Sequence, residues 1–207
     1  ICMALLFYYF ILRFKSVFYF NDAALSWNKW AVQWYNGFFP VNTWLYPQMH
    51  TANWSVIYQI AQTQDIQFVA RNVNALFPMA TGFLFIDLGL KKKNGLYFLG
   101  FAGYVFIITL LNTPGSLMDG FLDITVAFFC FLAFYELHLP DDSLFKSRRA
   151  VMSVVFACAA AVTKQPGFYI LAVVLVWNGI LMIKNRRSIN LKTVVRTSAV
   201  CLLLIIV

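Results

Sequence analysis

The chain has 207 residues, of which 61% are hydrophobic and only 12% are charged. Soluble domains carry about 45–50% apolar and about 25% charged residues, so this composition excludes an ordinary soluble protein and indicates an integral membrane protein. The net charge of +8 does not indicate nucleic-acid binding, because the cytoplasmic loops of membrane proteins collect Lys and Arg. We therefore predict membrane lipids, and no nucleic acid, as partners.

Seven apolar runs approach the length of about 20 residues that a transmembrane helix needs. The first and the last, at the two ends of the chain, are cut short, and neither end has the layout of a signal peptide. We therefore expect 1–207 to be a single module of a longer polytopic protein. The predicted fold is an all-α bundle of about seven spans, at 1–14, 73–90, 96–112, 121–139, 150–164, 167–183 and 197–207.

The charges of the loops predict an orientation in the membrane. Eleven of the sixteen Lys and Arg fall in three loops, at 91–95, 140–149 and 184–196. These loops are cytoplasmic by the positive-inside rule. They alternate with loops that are poor in positive charge and are predicted to face outward, at 15–72, 112–120 and 163–167.

The first outward loop, 15–72, contains the aromatic stretch "NDAALSWNKWAVQWYNGFFPVNTWLYPQ". Its apolar residues recur at three- and four-residue steps over 22–39, which predicts an amphipathic helix in the membrane interface with tryptophans at headgroup depth. A second interfacial helix is predicted over 53–72. Anchoring accounts for most of the tryptophans, but it does not require the carboxylate of Asp22 at the start of the helix.

Three outward carboxylates are candidates for a site, because charges at the edges of spans mark function by default. Asp22 and Asp119 have an alternative role as helix N-caps. Asp123 lies four residues after Asp119, on the same helix face and one turn further along, where capping no longer explains it. Asp87, beside "KKK", is most simply an ion-pair partner for those lysines.

Lys164 lies in "AAAVTKQPGFY", a tight outward hairpin between two apolar spans. One interpretation is a lysine that snorkels to the interface. The other is a cation directed at a phosphate. The four cysteines form no close pair and lie near no histidine cluster, so neither a disulfide framework nor a zinc site is predicted. They are Cys2, Cys130, Cys158 and Cys201.

Three segments resemble the GT-C superfamily of membrane glycosyltransferases, which includes the protein O-mannosyltransferases and the lipid A aminoarabinose transferase. "FYFNDAALSW" has Asp22 where that family has its first-loop catalytic Asp, although Asn21 replaces the acidic residue often paired with it. "GSLMDGFLDITVAFFCFLAFYEL" is similar to the segment in which an Asp opens the fourth span. "AAAVTKQPGFYILAVVL" is similar to an outer hairpin between later spans.

The resemblance implies transfer of a sugar from a polyprenyl-phosphate donor to a lipid, glycan or protein acceptor. Asp22 would be the general base of an inverting attack, and Asp123 or Asp119 would orient the substrates. Mg²⁺ or Mn²⁺ is a further expectation, at Asp22 and Asp123. Lys164, and less directly Arg71, would stabilise the departing phosphate. Three aromatic residues would stack on the sugar or line the lipid groove: Trp27, Tyr46 and Trp54.

We expect a bacterial inner membrane, with the site facing the periplasm or exterior. Two alternatives stay open on the sequence. A transporter or flippase would use intramembrane carboxylates near the middle of the bilayer, whereas these carboxylates lie towards one face. A non-catalytic member of the same fold would retain its function without Asp22, and Asn21 in place of the acidic residue keeps that alternative open.

Overall fold

The computed structural model describes residues 1–14, 17–18, 21–43, 46–110, 122–138 and 146–184, with single helical positions at 192, 195 and 199. These residues form helices and no strand, so the predicted all-α class is confirmed for them. The α-helices are α1 (Cys2–Arg13), α2 (Lys29–Tyr35), α3 (Met49–Ala61), α4 (Gln67–Lys92), α5 (Gly95–Leu110), α6 (Asp123–His138), α7 (Lys146–Thr163) and α8 (Pro166–Lys184).

Six of the predicted spans coincide with helices, namely α1 and α4 to α8, while the seventh, 197–207, falls almost entirely outside the described residues. Of the described helices, α4 alone has both the length and the apolar composition to cross a membrane. Three shorter helical segments are also apolar, at Cys2–Leu12, Gly95–Thr109 and Pro166–Leu181. By length and composition alone, one such helix is weak evidence for a membrane protein, so the seven-span bundle stays a prediction.

The chain divides into two compact units. The first comprises 1–44 and 50–124, and the second comprises 45–49 and 125–207. The predicted single module over 1–207 is not tested by this division.

In the first unit, α1 packs against α4 and α5 around an apolar core. Leu6 and Phe10 contribute to this core from α1, and Phe101 and Val105 from α5. Pro78 lies within α4, and the hydroxyl of Tyr104 on α5 donates to its carbonyl at 3.1 Å. This bond links the two helices near the proline, where a regular helical hydrogen bond is missing.

The first-loop helix is confirmed, but it is shorter than predicted and contains an irregular turn. Helical backbone runs from Asn21 to Tyr35, with a π-helical turn over Ala23–Asn28. It ends at Asn36–Gly37, where Gly37 takes φ +76° and the amide of Phe38 donates to the carbonyl of Gln33 at 2.9 Å. This pattern is a Schellman motif, and the glycine suits it because a left-handed residue without Cβ carries no steric penalty.

The second interfacial helix, predicted over 53–72, is wrong in its boundaries. Helix α3 ends at Ala61, and Gln62 takes a positive φ of 55°. Thr63 and Asp65 then exchange hydrogen bonds at 3.1 Å in the turn, and α4 begins at Gln67. The polar sequence "QTQD" therefore separates two helices, because Thr and Asp side chains bond to nearby backbone and compete with helix continuation.

In the second unit, α7 and α8 form a closely packed hairpin. Alanines of α7 and Gly167 of α8 allow the backbones to approach, and an added Cβ at Gly167 would overlap the carbonyl group of Ala160. Asn178 also donates from Nδ2 to the Ser153 hydroxyl at 3.0 Å within the buried interface. Small residues and such polar pairs are the usual means of holding helices together in membranes.

A smaller prediction, for Asp87, agrees with the structure. Lys91 Nζ lies 2.8 Å from Asp87 Oδ2, so the ion pair predicted for Asp87 is confirmed. None of the three described cysteines, Cys2, Cys130 and Cys158, forms a disulfide, and Cys201 lies outside the described residues.

Candidate active site

Asp22 lies at the first turn of the first-loop helix and is exposed. It has helical backbone angles, φ −62° and ψ −42°, and its side chain makes no capping hydrogen bond. An N-cap residue ordinarily has non-helical angles and accepts a bond from the second or third helical amide. The capping alternative therefore does not describe Asp22, and its carboxylate is open to solvent or to a ligand.

The π-helical turn that follows Asp22 is fixed on its other side by a buried cluster. Ala23, Trp27 and Asn28 are buried in this turn. The Tyr58 hydroxyl of α3 donates to Asn28 Oδ1 at 2.5 Å, and both side chains are buried. Burial also raises the pKa of Tyr58 above its usual range, so the phenol stays protonated and remains a donor. The cluster thereby holds the turn that presents Asp22.

We expect Tyr58→Phe to lower the free energy of unfolding by about 1–3 kcal/mol, because Asn28 Oδ1 would lose its donor inside the protein. Transfer activity should fall with it, since the turn bearing Asp22 loses its link to α3. Thermal unfolding in detergent and turnover in membranes measure the two effects. Tyr35→Phe is the matched control, because the ring of Tyr35 packs against Tyr58 at 6.2 Å without a described hydrogen bond from its hydroxyl. Equal stability of the two variants would contradict the link.

A second buried polar pair lies one turn of α3 away from Trp54, where His50 meets Asn74 of α4 at 2.6 Å. An amide oxygen only accepts, so His50 Nε2 carries the proton and donates. The imidazole is 2% exposed and lies between two aromatic rings, with centroids 4.9 Å from Trp54 and 5.9 Å from Phe77. Burial is the main reason why the pKa of His50 falls to about 4, although the bond to Asn74 raises it slightly.

This burial predicts a pH-dependent stability. The folded pKa of about 4 lies below the reference value of 6.5, so between these values the unfolded chain binds a proton that the folded chain excludes. With respect to His50, the free energy of unfolding should have its full value above about pH 6.5. It should decline as the pH falls towards 4, by up to roughly 3 kcal/mol. Thermal unfolding of wild type and His50→Gln between pH 7 and 5 tests this. A shallower slope is expected for His50→Gln than for wild type, and equal slopes for the two proteins would contradict this prediction.

Comparison of the chain with protein-family models, with curated proteins and with solved structures finds no match. The resemblance to GT-C glycosyltransferases therefore rests on the residues themselves.

The two tryptophans predicted to contact substrate are core residues in this structure. Trp27 is 3% exposed and Trp54 is 0% exposed. They belong to one cluster with Trp30 and Tyr58, and Trp27 and Trp30 meet edge to face at 5.0 Å. The apolar face that carries Trp27 and Trp30 packs against α3 and the start of α4, and its depth in a membrane stays a prediction. With their rings covered, neither Trp27 nor Trp54 offers a face to a sugar here.

The remaining candidate residues lie in different surroundings. Arg71 is 0% exposed on α4, one turn before Asn74. Tyr46 is 39% exposed, in the short segment 45–49 that belongs to the second unit. Lys164 is half-buried between α7 and α8, where its carbonyl accepts from the Gly167 amide at 2.9 Å. Of the candidate residues, the structure brings Trp27 and Trp54 together in the first unit. Tyr46 and Lys164 belong to the second unit.

Asp123 is exposed and is the first residue of α6. It therefore lies in the first turn and not one turn further along, so the favourable field of the helix N-terminus is enough to explain a carboxylate there. Asp119 lies outside the described residues. Among the described residues no group of three or more His, Cys, Asp or Glu could hold a metal ion, and the expected cation at Asp22 and Asp123 has no third protein ligand among them.

Sequence reasoning missed the buried polar residues that α3 contributes. His50, Trp54 and Tyr58 follow one another at four-residue steps and share one face of α3, and all three are buried. The signal in the sequence is a histidine and a tyrosine on the same helix face as a tryptophan. If that face is buried, the two polar side chains require hydrogen-bond partners. Asn28 and Asn74 supply those partners.

Proposed function

We propose that this chain is the seven-span module of a GT-C-like membrane glycosyltransferase. It transfers a sugar from a polyprenyl-phosphate donor to an acceptor on the extracytoplasmic side of a bacterial inner membrane. Asp22 carries the proposal. Its carboxylate is exposed and is not used for capping, and it adjoins a turn that a buried hydrogen-bonded cluster holds in position.

The irregular helix supports the same interpretation. The π-helical turn begins directly after Asp22, and π-turns are rare and occur frequently at functional sites. A π-helical turn changes the direction in which side chains project along a helix. Here the exposed carboxylate of Asp22 comes directly before a turn whose Ala23, Trp27 and Asn28 are buried. Conformations of this kind persist when surrounding packing fixes them.

In the proposed reaction, Asp22 accepts the proton of the acceptor hydroxyl as the hydroxyl oxygen attacks the anomeric carbon. The bond between that carbon and the phosphate oxygen breaks, and the prenyl phosphate leaves with the electron pair. The attack inverts the anomeric centre. Stabilisation of the departing phosphate by Lys164, or by Arg71, stays an expectation of the family resemblance.

The test is turnover by the full-length protein in membranes, supplied with a panel of polyprenyl-phosphate sugars. We expect release of prenyl phosphate from at least one donor, with inversion at the anomeric carbon of the product. Nucleotide sugars serve as the control and should not be consumed. Folded protein that turns over no lipid-linked donor, or that consumes a nucleotide sugar directly, would contradict the proposal.

A further inference from the structure

The chain contains three Asn–Gly dipeptides, at 36–37, 94–95 and 178–179. An asparagine followed by glycine can lose its side-chain amide without an enzyme, because the next backbone nitrogen attacks the side-chain carbonyl carbon. Asparagine counts among the thermolabile residues for this reason. All three dipeptides lie within the described residues, but in different surroundings. The hydrogen bonding of the glycine amide and the access of water decide which of them reacts.

The dipeptide at 178–179 is protected by burial and by a regular helix. Asn178 lies inside α8 and is 3% exposed. Its Nδ2 donates to the Ser153 hydroxyl and to the Val174 carbonyl, both at 3.0 Å. Gly179 is an interior residue of the helix, so its amide donates to the carbonyl four residues earlier. Attack by this nitrogen therefore requires α8 to open locally.

The dipeptide at 36–37 has access to water but is held by a hydrogen bond. Asn36 is exposed and follows the last residue of α2. The Gly37 amide donates to the Trp34 carbonyl at 3.1 Å within the Schellman motif. The nitrogen that would attack is engaged in this bond, which has to break before the reaction begins.

The dipeptide at 94–95 lacks both kinds of protection. Asn94 is exposed between α4 and α5, and Gly95 is the first residue of α5. The first amides of a helix have no partner within it, and the Gly95 amide donates no hydrogen bond to any of the described residues. Water and base therefore reach this nitrogen without any opening of the structure.

A capping bond also prepares the side chain of Asn94 for attack. The amide of Leu96 donates to Asn94 Oδ1 at 3.0 Å. The ring that this bond closes contains the Gly95 nitrogen, so the side-chain carbonyl carbon of Asn94 is kept next to it. The same bond stabilises Oδ1, where negative charge develops as the nitrogen attacks, in the manner of an oxyanion hole.

We propose that Asn94 is a site of spontaneous deamidation. The Gly95 nitrogen gives its proton to hydroxide and forms a bond to the side-chain carbonyl carbon of Asn94. The bond from that carbon to Nδ2 breaks, and the nitrogen takes a proton from water and leaves as ammonia. Water then hydrolyses one of the two C–N bonds of the resulting succinimide, which gives aspartate or isoaspartate. This reaction is independent of the proposed glycosyltransferase function.

The two products have different effects on the turn. Aspartate caps a helix about as well as asparagine, and the field at the start of α5 favours its negative charge. It also lowers the positive charge of the loop 91–95, which contains three consecutive lysines. Isoaspartate carries the main chain through Cβ, so the backbone is longer and the capping bond from Leu96 is lost. Deamidation therefore changes both the charge of this loop and the start of α5.

The experiment is peptide mapping by mass spectrometry of the full-length protein, incubated at neutral pH in detergent or unfolded in guanidinium chloride. Deamidation at the three asparagines is followed in the same samples, and chromatography separates aspartate from isoaspartate. The unfolded protein gives the rate of each dipeptide without structure, so the ratio of folded to unfolded rates measures protection alone. Gly95→Ala is the test variant, because a Cβ at this position meets nothing within 4 Å and the fold should be retained.

In the folded protein we expect Asn94 to react within about threefold of its unfolded rate, since no opening is required. Asn36 should react about two- to tenfold more slowly than when unfolded, the factor for opening one hydrogen bond. Asn178 should react at least about a hundredfold more slowly, because α8 must open. Gly95→Ala should slow the reaction of Asn94 at least about tenfold, because glycine alone leaves the attacking nitrogen without a neighbouring Cβ.

Three outcomes would overturn the inference. They are protection of Asn94 equal to that of Asn178, a faster reaction at Asn36 than at Asn94 in the folded protein, and an unchanged rate at position 94 in Gly95→Ala. The rate at Asn36 serves as the internal control for the variant and should be the same in both proteins.

Discussion

Asp22→Asn is expected to lower turnover of the lipid-linked donor by about 10²–10⁴-fold, the usual contribution of a general base. The substitution retains the size of the side chain and removes the group that accepts the proton. Because the Asp22 side chain makes no capping bond, the free energy of unfolding should change little. Initial rates in membranes, with expression and thermal unfolding measured on the same preparations, give both values.

Asp65→Asn is the matched control for that substitution. Asp65 is a second exposed carboxylate of the first unit, and it lies in the turn between α3 and α4. An amide oxygen can still accept from the Thr63 hydroxyl, so both stability and turnover should be nearly unchanged. If Asp22→Asn were as active as Asp65→Asn, Asp22 would be a surface residue, and the non-catalytic interpretation would be preferred.

Gly167→Ala is expected to cause the largest loss of stability of any single methyl group added to a described glycine. The new Cβ would overlap backbone atoms of Ala160, which cannot rotate away as a side chain can. Overpacking usually lowers the free energy of unfolding by about 1–3 kcal/mol. Because the new Cβ would meet backbone atoms, we expect a loss at or above the upper value for Gly167→Ala. Thermal unfolding in detergent measures the loss.

Gly179→Ala provides the comparison within the same helix. A Cβ at Gly179 meets nothing within 4 Å, and alanine favours helix by about 1 kcal/mol over glycine. We therefore expect Gly179→Ala to be neutral or slightly stabilising. Similar melting temperatures for the two variants would show that the hairpin is packed less closely than the structure has it.

The sequence analysis had already singled out Asp22 and the hairpin that contains Gly167. For Gly167, however, the structure supplies a reason that the sequence did not. "TKQPG" predicted a tight hairpin, and within it α7 ends at Thr163 and α8 begins at Pro166. The sequence did not show that Gly167 is needed for close approach of the two backbones. That requirement arises only when the alanines of α7 are placed against it.

The first loop shows the same division more clearly. Three- and four-residue spacing predicted a helix with Trp27 and Trp30 on its apolar face, and the helix and its buried face are both present. Periodicity identifies which residues share a face but not what covers that face. Membrane lipid and the buried face of α3 are both apolar, so the pattern favoured an interfacial anchor where the structure has a protein core.

Local patterns were enough to place the helices at the apolar runs and the Asp87–Lys91 pair, because apolar periodicity and i,i+4 charges act over a few neighbouring positions. The break after Ala61 was not among them, since the sequence predicted one helix over 53–72. Packing between distant parts of the chain, in contrast, was needed to show that Asp22 is not a cap, that Asn28 and Tyr58 hold its turn, and that His50 meets Asn74. Tyr58 lies 30 residues from Asn28, and Asn74 lies 24 residues from His50. Hydrogen bonds over such separations depend on how α2, α3 and α4 pack, and no local pattern of residues encodes that packing.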